Sequence, residues 1–185
     1  MSSAVTFIIN TIFDVVCFLF LARMILQASR ADFYNPISQG VVKATDPLLR
    51  PIRLLIPGFR NFDIAALLAA WLTKSVGFAL IVGLEAQMVP GIPYVALRGL
   101  FEMLRLLLTI YWFGLIIVIV LSFIAQGTNH PAALLLHQIT EPVLAPARRL
   151  LPPMGGLDFS PILVFMVLIL IRDYLLPAIF NSLIG

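Results

Sequence analysis

Four stretches of this chain are long and apolar enough to cross the hydrocarbon core of a bilayer: about Ala4–Ala22, Ile64–Leu84, Leu106–Ala125 and Ser160–Phe180. A spanning helix needs about 20 apolar residues. Lipid offers the backbone no hydrogen-bond partners, so a segment that crosses it is a helix or belongs to a closed barrel. These stretches lack the polar–apolar alternation of barrel strands, which predicts helices. The rest of the chain cannot hide them, because 61% of the 185 residues are hydrophobic and only 11% are charged, far outside the soluble range. The expected fold class is an all-α membrane protein with four transmembrane helices. The first run has no Lys or Arg before it and ends in Leu21-Ala22-Arg23, so it reads as a retained span and not as a cleaved signal.

Basic residues gather on the cytoplasmic side of a membrane protein. Arg23, Arg30, Lys43, Arg50, Arg53 and Arg60 lie between the first and second spans, and Arg148 and Arg149 between the third and fourth. The connection between the second and third holds only Arg98 and Arg105, and the tails hold none. Both long connections are therefore expected in the cytoplasm, with both termini periplasmic.

Those two connections are nearly the same string. "ATDPLLRPIRLLIP" (44–57) and "ITEPVLAPARRLLP" (139–152) align without a gap at an offset of 95 residues. Pro36 matches Pro131, Thr45 matches Thr140, Pro47 matches Pro142, Pro51 matches Pro146, Arg53 matches Arg148, Pro57 matches Pro152 and Asp63 matches Asp158, while Asp46 and Glu141 form an acidic pair in register. So many special residues in one register mark an internal duplication. It divides the chain into repeats at 1–94 and 95–185, each a helix, a proline-rich segment and a second helix. Two spans per repeat return the chain to its starting side, so the copies share one topology and are not inverted.

Proline lacks an N–H and disfavours helix in the residue before it. Asp46 and Arg50 each precede a proline, so a proline-broken segment is expected, with Thr45 ending one short helix and capping the next. Leu48, Leu49, Ile52, Leu54, Leu55 and Ile56 give it an apolar side, and Arg50 and Arg53 a basic one. That amphipathic pattern suits an element lying at the headgroups, a bracket between two spans. A re-entrant element is the competing reading, and it requires protein or water to satisfy the backbone.

The run Asn35-Pro36, Thr45-Asp46-Pro47-Leu48-Leu49, Pro51, Arg53, Pro57 and Asp63 resembles the signature of the YggT (YlmG/CCB3-related) family of small integral membrane proteins. The likeness covers nearly the whole chain as two copies. The second copy departs from it at His130, Glu141 and Pro161. The resemblance implies a multi-pass protein of the bacterial inner membrane. It also implies roles as varied as division, cytochrome assembly, membrane organisation and osmotic tolerance, with no single molecular activity among them.

Ionisable residues at mid-span are costly and mark partners or pathways. Asp14 and Lys74 fall near the centres of the first and second runs, and Arg172 and Asp173 near the middle of the fourth. Thr109 and Ile169 hold the repeat positions of Asp14 and Lys74, so that polarity belongs to one copy. The expected arrangement pairs Asp14 with Lys74 and sends Arg172 and Asp173 to partners across the bundle or in another chain. Pro177 should strand the Asp173 carbonyl, and Glu102 and Arg105 read as a local pair near the outer interface.

No nucleotide loop, HExxH, GxSxG or cysteine–histidine site is present, so no catalytic, cofactor or metal residues are expected and the chain does not read as an enzyme. Cys17 is the single cysteine, and His130 and His137 lack metal-ligand companions. The scattered basic residues speak against nucleic acid. The expected partners are the phospholipid bilayer and other membrane proteins or further copies of the chain. The expected function is a non-enzymatic structural or assembly factor. The alternative is a small channel or transporter handling a monovalent cation or a proton.

Overall fold

The structure is a computed structural model and describes residues 3–56, 61–86, 90–124, 130–151 and 158–184. The chain forms α1 (Ser3–Ala28), α2 (Pro36–Leu55), α3 (Ile64–Ala86), α4 (Ile92–Ile124), α5 (Pro131–Leu150) and α6 (Ser160–Ile169). A π-helical stretch (Leu170–Leu175) and α7 (Leu176–Ile184) continue the last helix. Among the described residues, four segments are long and apolar enough to cross a membrane: Ala4–Ala28, Ile64–Ala86, Ile92–Leu121 and Ser160–Ile184. This is the architecture of a multi-pass membrane protein, as the apolar runs require. Pro57 and Pro152 lie outside the described residues.

The third span starts earlier than its hydropathy suggests, at Ile92 and not at Leu106. Arg98, Glu102 and Arg105 interrupt the apolar run without interrupting the helix. Arg98 Nη2 lies 2.7 Å from Glu102 Oε1, one turn away, so the charges neutralise along the helix surface. Glu102 is therefore paired with Arg98, not in the expected local pair with Arg105.

The proline strings are also not broken. α2 and α5 each run for 20 residues, with Pro47 and Pro51 inside the first and Pro142 and Pro146 inside the second. An interior proline removes one helical hydrogen bond and costs about 3 kcal/mol. Spacing the prolines one turn apart puts both losses on the same face and leaves the opposite ladder whole. Thr45 is accordingly no cap. It lies inside α2 and donates its hydroxyl to Val41 O at 2.7 Å, as Thr140 donates to Leu136 O at 2.8 Å in α5. The caps stand ten residues earlier. Asn35 Oδ1 accepts from Ile37 N at 2.9 Å, and His130 Nδ1, at the matching position, accepts from Ala132 N at 3.3 Å.

The chain divides into two compact units, Met1–Met24 with Val41–Leu107, and Ile25–Gly40 with Leu108–Gly185. In the first, small residues let helices approach closely, as in membrane bundles generally. Ala65, Ala66 and Ala70 of α3 are fully buried, and Cys17 of α1 donates its thiol to Ala70 O at 3.5 Å. Trp71 Nε1 donates to Ala96 O at 2.8 Å, joining α3 to the start of α4. The second unit is built on Leu115, Leu144, Ala147, Val164 and Leu168, with Trp112 and Phe165 edge to face at 5.9 Å. There Asn35 Nδ2 donates to Pro131 O at 2.7 Å, tying the segment after α1 to the start of α5.

Gly99 sets the closeness of α3 and α4. A Cβ there would come within 2.7 Å of the Ser75 backbone, whereas one on Gly83 would meet nothing within 4 Å. Gly99→Ala should therefore cost about 1–3 kcal/mol through overpacking. Gly83→Ala should leave stability unchanged or raise it by up to about 1 kcal/mol through helix propensity. Reversible unfolding in mixed micelles checks the opposite signs.

Candidate functional site

The charged residues of the duplicated string come together into one device. In α2, Arg53 lies two turns after Asp46, and its Nη1 reaches Asp46 Oδ1 at 3.3 Å. The contact bridges the turns that Pro47 and Pro51 weaken. Nη2 of the same guanidinium hydrogen-bonds to Asp63 Oδ2. Asp63 caps the next helix, since its Oδ1 accepts from Ala66 N at 3.1 Å. Arg53 thus clasps the proline helix to the start of the following span. In the second copy, Arg148 Nη1 sits 2.8 Å from both oxygens of Glu141, and its Nε 3.0 Å from Asp158 Oδ2. Asp158 Oδ1 in turn accepts from Ser160 N at 2.9 Å.

The copies differ in burial. In the first, Arg23 of α1 joins the clasp, 3.5 Å from Asp46 and 3.8 Å from Asp63, and the Asp63 side chain is 2% exposed. In the second, Val118 stands at the position of Arg23, and the Asp158 side chain is 37% exposed. Sequence reasoning counted Arg23 only as a basic flank. A basic residue at the edge of an apolar run, with valine at its repeat position, was the available signal.

Burial alone would raise the Asp158 carboxyl, but Ser160 and the Arg148 guanidinium outweigh it and hold the group below its ordinary 3.8. Burial would likewise lower Arg148, but its bonds to Asp158 and Glu141 outweigh it and raise the guanidinium above its ordinary value.

A second cluster lies within the spans of the first unit. Lys74 of α3 donates to Asp14 Oδ1 of α1, as their shared depth suggests. Beside them opens a cavity of about 320 Å³, lined by Asn10, Phe13, Lys74, Phe78, Arg98 and Glu102 among others. α3 ends and α4 begins on the same side of the membrane, so position along each helix gives depth. At 1.5 Å per residue, Lys74 is about 18 Å from the end of α3 and Glu102 about 15 Å from the start of α4. Glu102 thus lies at a level similar to that of Lys74, and both line the same cavity. The Arg98 guanidinium stands 5.9 Å from the centroid of the Phe78 ring.

Arg172 and Asp173 pair with each other through two bonds of 2.9 Å, and Arg172 also lies 5.4 Å from the Trp112 ring centroid. The helix widens here, with Leu176 N donating to Ile171 O, five residues back. In that register the carbonyl facing Pro177 is that of Arg172, not of Asp173. Adjacent residues project about 100° apart on an α-helix, and the wider π turn brings these two to one side.

A clasp repeated at one offset of 95 residues is matched by the sequence comparison. The model of the CCB3/YggT family fits residues 2–84 and again 97–179, the same offset. The chain belongs to the CCB3/YggT family. It is 44% identical over 172 residues to an uncharacterised protein of Pseudomonas aeruginosa, covering 92% of this chain and 87% of that one. It is 35% identical over 171 residues to the uncharacterised protein YggT of Escherichia coli K12, covering 92% and 88%. A Vibrio alginolyticus protein is 36% identical over 167 residues, 89% of each chain. No solved structure matches.

In this CCB3/YggT chain both matched stretches contain a whole clasp, so the clasp belongs to the repeat. Asp14 and Lys74 fall in the first stretch, and Arg98 and Glu102 in the second. The cavity therefore draws on both copies and cannot belong to one repeat.

Two measurements test the clasp. Asp63→Ala leaves Arg23 and Arg53 to share the single carboxylate of Asp46, with Arg23 nearly buried, and should cost about 3 kcal/mol. Asp158→Ala removes an exposed pair and a helix-end bond and should cost about 1 kcal/mol. Unfolding in mixed micelles reads the difference, and equal costs would contradict the burial argument. For Asp158, a depressed folded pKa means that its contribution is complete above 3.8 and is lost as pH falls through the lower folded value. Carboxyl carbon NMR should place its titration below 3.8, and Arg148→Gln should move it up.

Proposed function

We propose that the protein is a non-enzymatic structural or assembly factor of the bacterial inner membrane. It would work within a larger membrane complex or as a homo-oligomer, with both termini periplasmic. The observation that carries this reading is the fourth span. Only 11% of its most apolar window is buried within the chain, yet an Arg172–Asp173 pair sits at its middle. Ile162, Met166, Leu170 and Tyr174 continue one exposed face along it. A charged pair in hydrocarbon is costly unless protein or water surrounds it, so this face suits another helix better than lipid alone. Small-residue and polar contacts are the usual glue between such helices.

The proline helices fit the same reading as amphipathic brackets at the headgroups. α2 exposes Leu48, Leu54 and Leu55 beside Arg50, and α5 exposes Leu134 in its first turn and Leu150 next to Arg149. Apolar side chains would enter the interface while the basic groups meet phosphate.

One observation favours a second reading, a small channel or transporter for a monovalent cation or a proton. It is the polar cavity at the depth of Lys74 and Glu102. A photo-crosslinking residue at Met166 separates the two. The assembly reading expects an adduct with a second copy or another membrane protein in intact cells, lost in an Arg172→Leu, Asp173→Leu double variant. A protein that stays monomeric there, yet conducts a cation in proteoliposomes until Asp14→Asn abolishes the flux, would replace it with the second reading.

A further inference from the structure

We propose that the cavity beside Lys74 and Glu102 is a binding site for a small zwitterion, a molecule carrying one carboxylate and one ammonium group. The proposal concerns occupancy and does not require that the ligand be transported.

The first argument is charge. Lys74, Arg98 and Glu102 line the cavity, so both signs face one space, and Asp14, which pairs with Lys74 and is not part of the wall, brings the cluster to zero. At span depth the surrounding hydrocarbon penalises any net charge heavily. A lone anion or cation entering this cavity would leave the cluster unbalanced. A guest with no net charge and two separated poles would not. Its carboxylate can meet the Lys74 ammonium and the Arg98 guanidinium, and its ammonium can meet the Glu102 carboxylate, so each existing pair is extended and none is stranded.

The second argument is shape. The volume of about 320 Å³ lies at the lower end for small-molecule pockets, about 300–1,000 Å³. Phe13, Phe78 and Ile81 provide apolar wall for a short carbon stem. Gly77 lets the Phe13 ring pack directly against α3 as part of that wall, since a Cβ there would meet the ring at 2.8 Å. The Phe78 ring beside Arg98 favours a fixed guanidinium plane, which suits recognition of a carboxylate.

The third argument comes from the repeat. The clasp holds both copies, but the second copy has Thr109 and Ile169 where the first has Asp14 and Lys74. The frame therefore does not need these charges. Well-packed apolar residues would usually serve stability within a span as well or better than ion pairs, so a cavity lined by Lys74, Arg98 and Glu102 points to a ligand.

The test uses the full chain in a non-ionic detergent and equilibrium dialysis with radiolabelled 4-aminobutyrate, glycine and L-proline. Butyrate and butylammonium, which carry the same four-carbon skeleton with one charge each, are the controls. At least one zwitterion should bind at one per chain, with both controls at least ten-fold weaker. Glu102→Gln should weaken that zwitterion at least ten-fold and make butyrate the better ligand, because the site then holds a surplus cation. The proposal is overturned if none of the three zwitterions binds the wild-type chain, or if either control binds as tightly as 4-aminobutyrate. It is equally overturned if a folded Glu102→Gln variant keeps the wild-type preference. Should that variant not fold, the wild-type ligand series decides alone.

Discussion

The frame of this protein depends on a guanidinium held between two carboxylates. Arg53 and Arg148 each join an acid two turns back to an acid at the start of the next span. The first contact braces a helix that its own prolines weaken. The second fixes where the next helix begins and lends charge to an acid already serving its N-terminus, where negative charge is favoured. One side chain therefore addresses helix continuity, helix initiation and the angle between them. This explains why proline, arginine and aspartate recur together, since each part would be a liability without the others.

Much of the frame could be read from the sequence because bilayer thickness and internal duplication both leave marks in one dimension. Apolar length named four spans, and the offset of 95 residues paired the two strings. The failures came where side chains in three dimensions overrule local preference. Pro47 and Pro51 were read as breaks, because the bridge from Arg53 to Asp46 is invisible to a rule about neighbouring residues. α4 was begun too late, because a hydropathy window penalises Arg98 and Glu102 separately and cannot see that they cancel. Arg23 was missed because its partners, Asp46 and Asp63, lie far along the chain. The Asp14–Lys74 pair was legible, because two opposite charges at equal depth in consecutive antiparallel spans have few other places to go.

The two copies share the clasp and differ in what surrounds it. The first buries it, adds Arg23 and carries charged residues at mid-span. The second leaves it exposed and puts Val118, Thr109 and Ile169 at those positions. It adds Arg98 and Glu102 to the cavity, and carries Arg172 and Asp173 at positions the first copy gives to Gly77 and Phe78. A common frame has thus been furnished differently in its two copies, which share one cavity, while the last helix of the second alone carries an adjacent charged pair.

The order of residues along the chain adds a consequence for biogenesis. Arg23, Asp46, Arg53 and Asp63 all precede α3, so every group of the first clasp has been synthesised before the second repeat begins. The bracket can close once α3 starts to enter the membrane, neutralising its buried charges while the ribosome is still making α4. The cavity has no such head start, for Arg98 and Glu102 arrive with the third span. Insertion thus has a natural sequence, in which the first hairpin has its clasp in hand early and waits, already braced there, for the helix that brings the remaining charges of the cavity.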